Sequence, residues 1–381
     1  MSEAHARASQ PEGTYPQVYD RIHLSNVPDY IGGTFTSYLY ALQMTHRDRT
    51  SYITSTCLRN PPRFNTVAEF DAEYVALHTE KDLESLFHVR MKPNYDVFMP
   101  MCPYNQWYHR TVSREYKDLV PRAKLQTWLY RLFFKTALPA EKRMILDNEL
   151  IYSPLNLTYF FRLCGHLHSI GYPAHWLSEV ISSILSGTVT TTARPPRSEP
   201  LRPQEIDAMQ KPLTQSVAPF TAELSTLAAM WQPLLPFGML SRNIAPVETL
   251  RKYTITFAKV SQEVNAYPLF ILNFHKGTTV PSSNINNLRS ILLSDELGSN
   301  DHDHKQFREQ RINILSTWTW HQASRTATFW LREDEMQRMK DEGWKVCIFR
   351  SDNWKLQSGS RSVDKVEDLG VRWVDQVNGR I

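Results

Sequence analysis

The chain of 381 residues carries 43 Lys and Arg against 39 Asp and Glu, a net charge of +4, with 41% of its residues hydrophobic and 12% aromatic. These proportions exclude a disordered or fibrous chain and fit a globular protein of two domains, or of one large domain with additions. The slight basic excess suits an RNA or an acidic ligand without demanding one.

Cys57, Cys102, Cys164 and Cys347 lie far apart with no Cys-x-x-Cys pair, so no zinc site or disulfide framework is signalled. No apolar run reaches the length of a membrane span, and the N-terminus lacks the apolar core of a signal peptide. The expected address is the cytoplasm, with no membrane partner.

Residues 1–18 are polar and punctuated by Pro and Gly, as in a flexible tail. From Tyr19 the texture is α/β: "YDRIHLSNV" reads as a strand, "TFTSYLYALQM" as a helix and "SYITSTCL" as a second strand, one βαβ unit. "TVAEFDAEYVALHTEKDLESLFHVRM" reads as one helix, with Thr66 and Glu69 forming a capping box. The stretch from Tyr95 opens as a short strand and continues as helices rich in aromatic and basic residues. Two more helices follow, separated at Gly171 to Pro173.

Thr, Pro and Arg crowd residues 186–203, which read as a linker between a Rossmann-like and helical domain (19–185) and a β-rich α+β domain (204–381). In the second domain "AELSTLAAMWQPLL" and "EDEMQRMKDEG" are helical. "RKYTITFAKV", "PLFILNFHKG", "LRSILLSDE", "INILSTWTWH", "RTATFWLR" and "WKVCIFRS" read as strands of a mixed or antiparallel sheet. The expected class is therefore α/β, a partial Rossmann-like βαβ unit with a helical middle region, followed by a β-rich α+β part.

A turn at the carboxyl edge of a parallel sheet is where doubly wound folds bind ligands, which makes Ser25, Asn26 and Asp29 candidate contacts. Gly32 and Gly33 permit a tight turn there, or a close approach of backbone to ligand. Tyr104, Asn105, Gln106, Trp107, Tyr108, His109 and Arg110 pack hydrogen-bonding groups and aromatic faces into seven residues. That density suits an aminoacyl group or a nucleotide, and it equally suits an irregular aromatic core segment with a polar edge. His109 or Tyr108 is the candidate proton acceptor.

Arg122, Lys124, Arg131 and Lys135 recur among Trp128, Tyr130, Phe133 and Phe134, an amphipathic helix whose basic residues are candidates for a phosphate backbone. Asp295 and Glu296 follow an apolar strand and are candidates to hold a guanidinium group. "DHDH" at 301–304 reads as an exposed loop, and "CGHLHSIGYPAHW" as helix packing with satisfied histidines. No metal site is signalled.

The layout of "YDRIHLSNVPDY", helix and "SYITSTCL" resembles the fourth strand, helix and fifth strand of a class I methyltransferase. In that family the Ser-Asn-Val-Pro-Asp turn faces the methionine end of S-adenosylmethionine. No glycine-rich first loop precedes the strand, so methyl transfer is set aside and no cofactor is expected.

"YDRIHLSNVPDYIGG", "MCPYNQWYHRT", "LQTWLYRLFFK", "GYPAHWLSEVISSILSG" and "FWLREDEMQRMKDEGWKVCIFRSDNW" together resemble a set of uncharacterised fungal proteins. These carry a domain of unknown function often found beside MYND zinc fingers. The resemblance covers most of the chain from Tyr19; longer members have a further domain ahead of the "YDRI" strand, and four scattered cysteines cannot build the finger.

Relation to the fungal arginine-containing cyclodipeptide synthases is the activity taken from this resemblance, although the Asp-Asp-x-x-Glu motif associated with that group does not occur in that form. It implies an aminoacyl transferase of secondary metabolism that joins two aminoacyl groups, with charged tRNA rather than DNA as partner. The alternative is a degenerate methyltransferase-like scaffold that binds partners and catalyses nothing.

Overall fold

The structure is a computed structural model that describes residues 18–47, 50–58, 74–77, 80–93, 104–110, 115–139, 156–193, 211–239, 241–262, 270–276, 288–293, 302–351 and 354–378, with isolated residues 16 and 264. The capping box at Thr66 and Glu69, the Asp295–Glu296 pair and residues 194–203 of the expected linker lie outside it. The described fold is mixed α/β with open sheets.

The first sheet holds β1 (Arg21–Leu24), β2 (Tyr52–Thr56), β3 (Val89–Pro93) and β4 (Tyr104–His109) in the order β1-β2-β4-β3. Strands β1 and β2 are parallel, and β4 runs antiparallel to both of its neighbours. Helical turns over residues 28–44 make the crossover between β1 and β2, as the alternation and spacing there predict. Pro28 opens the first turn, where its missing N–H costs nothing. Gly32 and Gly33 follow with φ of 103° and 68°, a conformation that a side chain resists. A Cβ on Gly33 would stand 2.4 Å from the Tyr74 ring, so this glycine serves both turn geometry and close packing.

The single helix expected over residues 66–91 is instead interrupted. Ala76 and His88 both adopt φ near +50°, which ends helical hydrogen bonding on either side of α1 (Glu80–Phe87). From Val89 the chain is already in β3, because pairing with β4 overrides local helix preference.

Helices α2 (Arg122–Ala137), α3 (Thr158–Ser169) and α4 (Ala174–Leu185) form the middle layer. The last two break at Gly171, whose φ is 106°, and at Pro173, as the sequence indicates. The first part of the expected linker is a strand: β5 (Thr188–Thr191) pairs antiparallel with β6 (Leu213–Ser216). Its residues alternate between exposed and buried, so β-branched residues that read as loop composition form a two-stranded ribbon. Helix α5 (Thr221–Trp231) follows.

The C-terminal half contains β7 (Leu250–Thr256), β8 (Phe270–Lys276), β9 (Ile312–Leu315), β10 (Thr319–His321), β11 (Thr326–Arg332), β12 (Trp344–Arg350), β13 (Arg361–Ser362) and β14 (Glu367–Arg372). They form two antiparallel sheets, β10-β11-β7-β14 and β13-β12-β8-β9. Helices α6 (Leu288–Leu292), α7 (His302–Gln310), α8 (Glu333–Asp341) and α9 (Trp373–Asn378) flank them. Residues 288–292, expected as strand, are helical because Leu288, Ile291 and Leu292 are buried at i, i+3 and i+4. The second to fourth residues of "DHDH", expected in a loop, open α7, which Phe307 anchors in the core.

The two sheets pack face to face, with Phe274 of β8 edge-on to Phe329 of β11 at 5.5 Å. The opposite face of the β8 sheet, with Ile271, Ile312, Ile314, Cys347 and Phe349, joins the same hydrophobic cluster as the helices and Trp107 of the first sheet. Residues on both sides of 186–203 therefore share one core. Among the described residues no helix is long and apolar enough to cross a membrane.

Candidate functional site

The antiparallel course of β4 divides the residues that sequence reading groups together. Ser25, Asn26 and Asp29 lie at the end of the first sheet where β1 and β2 finish and β4 begins, whereas Tyr108, His109 and Arg110 lie at the opposite end. At 3.4 Å per residue the two ends of β4 are about 17 Å apart, so one pocket lined by all of them does not form. Alternation then splits the strand by face: Trp107 and His109 point inward, Gln106 and Tyr108 outward.

At the first end the polar groups close the fold. Asn26, at φ 53°, donates its N–H to Thr56 Oγ1 at 3.2 Å and receives the Thr56 hydroxyl at 3.4 Å. Buried Asp29 accepts the Leu58 N–H at 2.6 Å. Ser25 is exposed beside them, and the backbones of Tyr104 and Asn105 pair with Thr56 and Ser55.

At the other end buried rings meet a group of polar side chains, of which Arg47 and Arg162 are exposed and Gln43 and His109 half-buried. Trp107, 1% exposed, meets the Tyr38 ring edge-on at 4.3 Å; Tyr38 packs on Phe87 at 5.4 Å, and Phe87 stacks on His166 of α3 at 6.0 Å. His109 Nε2 lies 2.9 Å from the carbonyl oxygen of Leu42. A carbonyl only accepts, so Nε2 carries the proton and Nδ1 keeps the lone pair. Burial pushes the His109 ring below its ordinary range, outweighing the Leu42 bond, and Arg47 and His88 push the same way. At neutral pH it is a neutral imidazole with a basic nitrogen to offer.

His166, 8% exposed, has both ring nitrogens buried with no hydrogen-bond partner among the described residues, and the same holds for Trp107 Nε1 and Gln43 Nε2. It is not the satisfied core histidine expected; His168, two residues on, fills that role at 3.1 Å from the Tyr172 carbonyl. Burial, then Arg47, His109 and Arg162, lower the His166 ring to about 3. Arg162 is fixed by a bond to Leu39 O at 3.4 Å and lies 4.4 Å from the Tyr40 ring centre, and Arg47 donates to Gln43 Oε1 at 2.9 Å. The cluster is rich in donors and cations and suits a group bearing negative charge or a developing oxyanion. Sequence reading missed Arg47, Gln43, Arg162 and His166, which come from the crossover and α3 and have no shared motif.

The basic residues of α2 do not make an open phosphate track. Arg122 pairs with Glu179, Lys124 with Asp82 at 2.8 Å, and Arg131 and Lys135 are half-buried. The helix is exposed at its first turn and buried along its apolar face, where Leu125, Trp128, Leu129, Leu132 and Phe133 lie in the core and Trp128 donates to Val75 O at 2.7 Å. No protein-family model, curated protein or solved structure matches the chain.

Proposed function

We propose that this chain is an aminoacyl-tRNA-dependent enzyme of fungal secondary metabolism that joins two aminoacyl groups, one of them arginine, into a cyclic dipeptide. The observation that carries the reading is His109, a neutral imidazole whose Nε2–H is held by Leu42 and whose ring, like that of His166, feels the charge of Arg47. In each half-reaction an amine nitrogen attacks an ester carbonyl carbon. A C–N bond forms, the C–O bond to the 3′ oxygen of the tRNA breaks, and Nδ1 takes the proton that the nitrogen gives up and passes it to that departing oxygen, which regenerates the base. The neighbouring cations stabilise the oxyanion of the tetrahedral intermediate.

Tyr108, the other candidate acceptor, donates its hydroxyl to Gln106 Oε1 at 2.9 Å on the outer face, which favours His109. Asp295 or Glu296 is the carboxylate for the arginine guanidinium. The parallel β1–β2 pair with its helical crossover supports kinship to Rossmann-like folds.

Purified protein mixed with a pool of charged tRNAs is expected to yield an arginine-containing diketopiperazine by mass spectrometry. The substitution His109→Ala is expected to slow its formation by about 10² to 10⁴-fold. No cyclic product from any arginine pair sinks the reading.

Closure of Asn26 and Asp29 on Thr56 and Leu58 favours a second reading, a scaffold that binds partners without catalysis. Calorimetric titration with S-adenosylmethionine separates the methyltransferase-like branch: heat of binding would restore a cofactor role, and silence leaves a scaffold.

A further inference from the structure

The register of the first sheet places Arg21, Tyr52, Tyr108 and Arg90 in one row across all four strands on its outer face. The Arg21 guanidinium lies 5.4 Å from the centre of the Tyr52 ring, and Tyr52 packs on Tyr108 at 5.3 Å with the rings tilted by 45°. A second row runs through His23, Thr54 and Gln106 to the register position of Lys92, with His23 Nδ1 and Thr54 Oγ1 2.7 Å apart. Arg21, His23, Arg90 and Arg110 are exposed, and Tyr52, Gln106 and Tyr108 are half-buried. None of the strand residues of this sheet is Asp or Glu.

We infer that this outer face binds a single-stranded polynucleotide. Two tyrosine rings flanked by guanidinium groups offer stacking to unpaired bases and charge to the phosphates on either side. The polar row beside them, with His23 and Gln106 over a buried Thr54, offers donors and acceptors to exposed base edges, which a duplex keeps paired. An all-basic sheet without carboxylates repels no polyanion. The inference moves the nucleic-acid contact from α2, whose outer cations are paired, to the sheet. Identification of the strand as the unpaired acceptor end of tRNA rests on the function proposed above; the surface itself does not.

Fluorescence anisotropy of the full chain with a fluorescein-labelled eight-nucleotide RNA, the same sequence as DNA, and the RNA duplex tests this. The unpaired strands are expected to bind at least ten times more tightly than the duplex. Tyr52→Ala and Tyr108→Ala are each expected to weaken binding about tenfold, with Tyr108→Phe near wild type. Arg21→Gln and Arg90→Gln are expected to flatten the salt dependence. Arg90 is exposed, so Arg90→Glu gives a folded variant in which binding is expected to fall even if a tyrosine substitution unfolds the protein.

Preference for RNA points to the tRNA end, and equal affinity for DNA to any unpaired strand; both support the inference. No binding, equal binding of the duplex, or wild-type binding by Arg90→Glu overturns it. Oligonucleotide binding without product from charged tRNA retires the proposed function alone, whereas product formation unaffected by Tyr108→Ala and Arg90→Glu retires the identification of the bound strand as the tRNA end.

Discussion

A charged imidazole at His166 would lose its hydration beside Arg47, His109 and Arg162, which is why burial holds the ring down to about 3. In the unfolded chain the same ring titrates near its ordinary 6.5. Below that value the unfolded state binds a proton that the folded ring refuses, so stability falls as pH drops from 6.5 toward 3. From pH 7 to pH 5 the loss from this one group is about 2 kcal/mol. His275, lowered to about 4 by burial, adds a loss of the same sign. In urea titrations at pH 7 and pH 5, His166→Phe, which keeps a ring against Phe87, is expected to lose about 2 kcal/mol less than wild type. Equal losses would show that His166 does not set the acid limit. The sequence displays His166 and His168 two apart in an apolar run, but not which of them finds a carbonyl. That depends on Tyr172 folding back to one and on Phe87 reaching the other from α1.

At the scale of elements, Glu223 fastens α5 to the turn between β9 and β10. It is 3% exposed and accepts the Ser316 N–H at 2.8 Å, the Ser316 hydroxyl at 2.9 Å and the Thr317 N–H at 2.7 Å, while Ser316 Oγ receives the Leu157 N–H at 3.0 Å. Burial pushes its carboxyl up and these bonds oppose the shift. Glu223→Ala leaves two backbone N–H groups without that acceptor and is expected to cost about 3 kcal/mol in chemical denaturation, with Glu223→Gln costing less. A loss under about 0.5 kcal/mol for the alanine variant would reduce the carboxylate to a bystander. Elements of this kind were readable where composition and spacing agreed, as in α3 and α4 on either side of Gly171 and Pro173. They were not readable where tertiary pairing decided: Thr188 to Thr191 needs Leu213 to Ser216 to become a strand, and Val89 needs His109.

For the whole molecule the deciding feature is the β8 sheet, covered on one side by the β7 sheet and on the other by the helical core. Its strands read as near-continuous apolar runs because neither face meets water. Residues 204–381 expressed alone would bare the side of α5 that packs on α3 and α4, where Trp231 stacks on Phe161 at 6.3 Å, and are expected to be aggregated or to lack sharp near-ultraviolet circular dichroism, whereas the full chain melts in one transition. A soluble fragment with a cooperative melt would show that each half folds independently. Residues 186–203 stand out in the sequence as a change of composition. That the core passes across them does not, since contacts between residues a hundred or more positions apart leave no local trace.

The alternation along β4 ties two chemistries to one phase. Trp107 and His109 belong to the interior and Gln106 and Tyr108 to the outer row only while the strand keeps its present pairing with β2 and β3. Slipping β4 by a single residue would turn indole and imidazole out to solvent and drive two polar side chains into the core. Insertions or deletions within Tyr104 to His109 therefore cannot tune one surface while sparing the other. Descendants of this chain can diversify either side by substitution, but must keep the length of this strand to keep both.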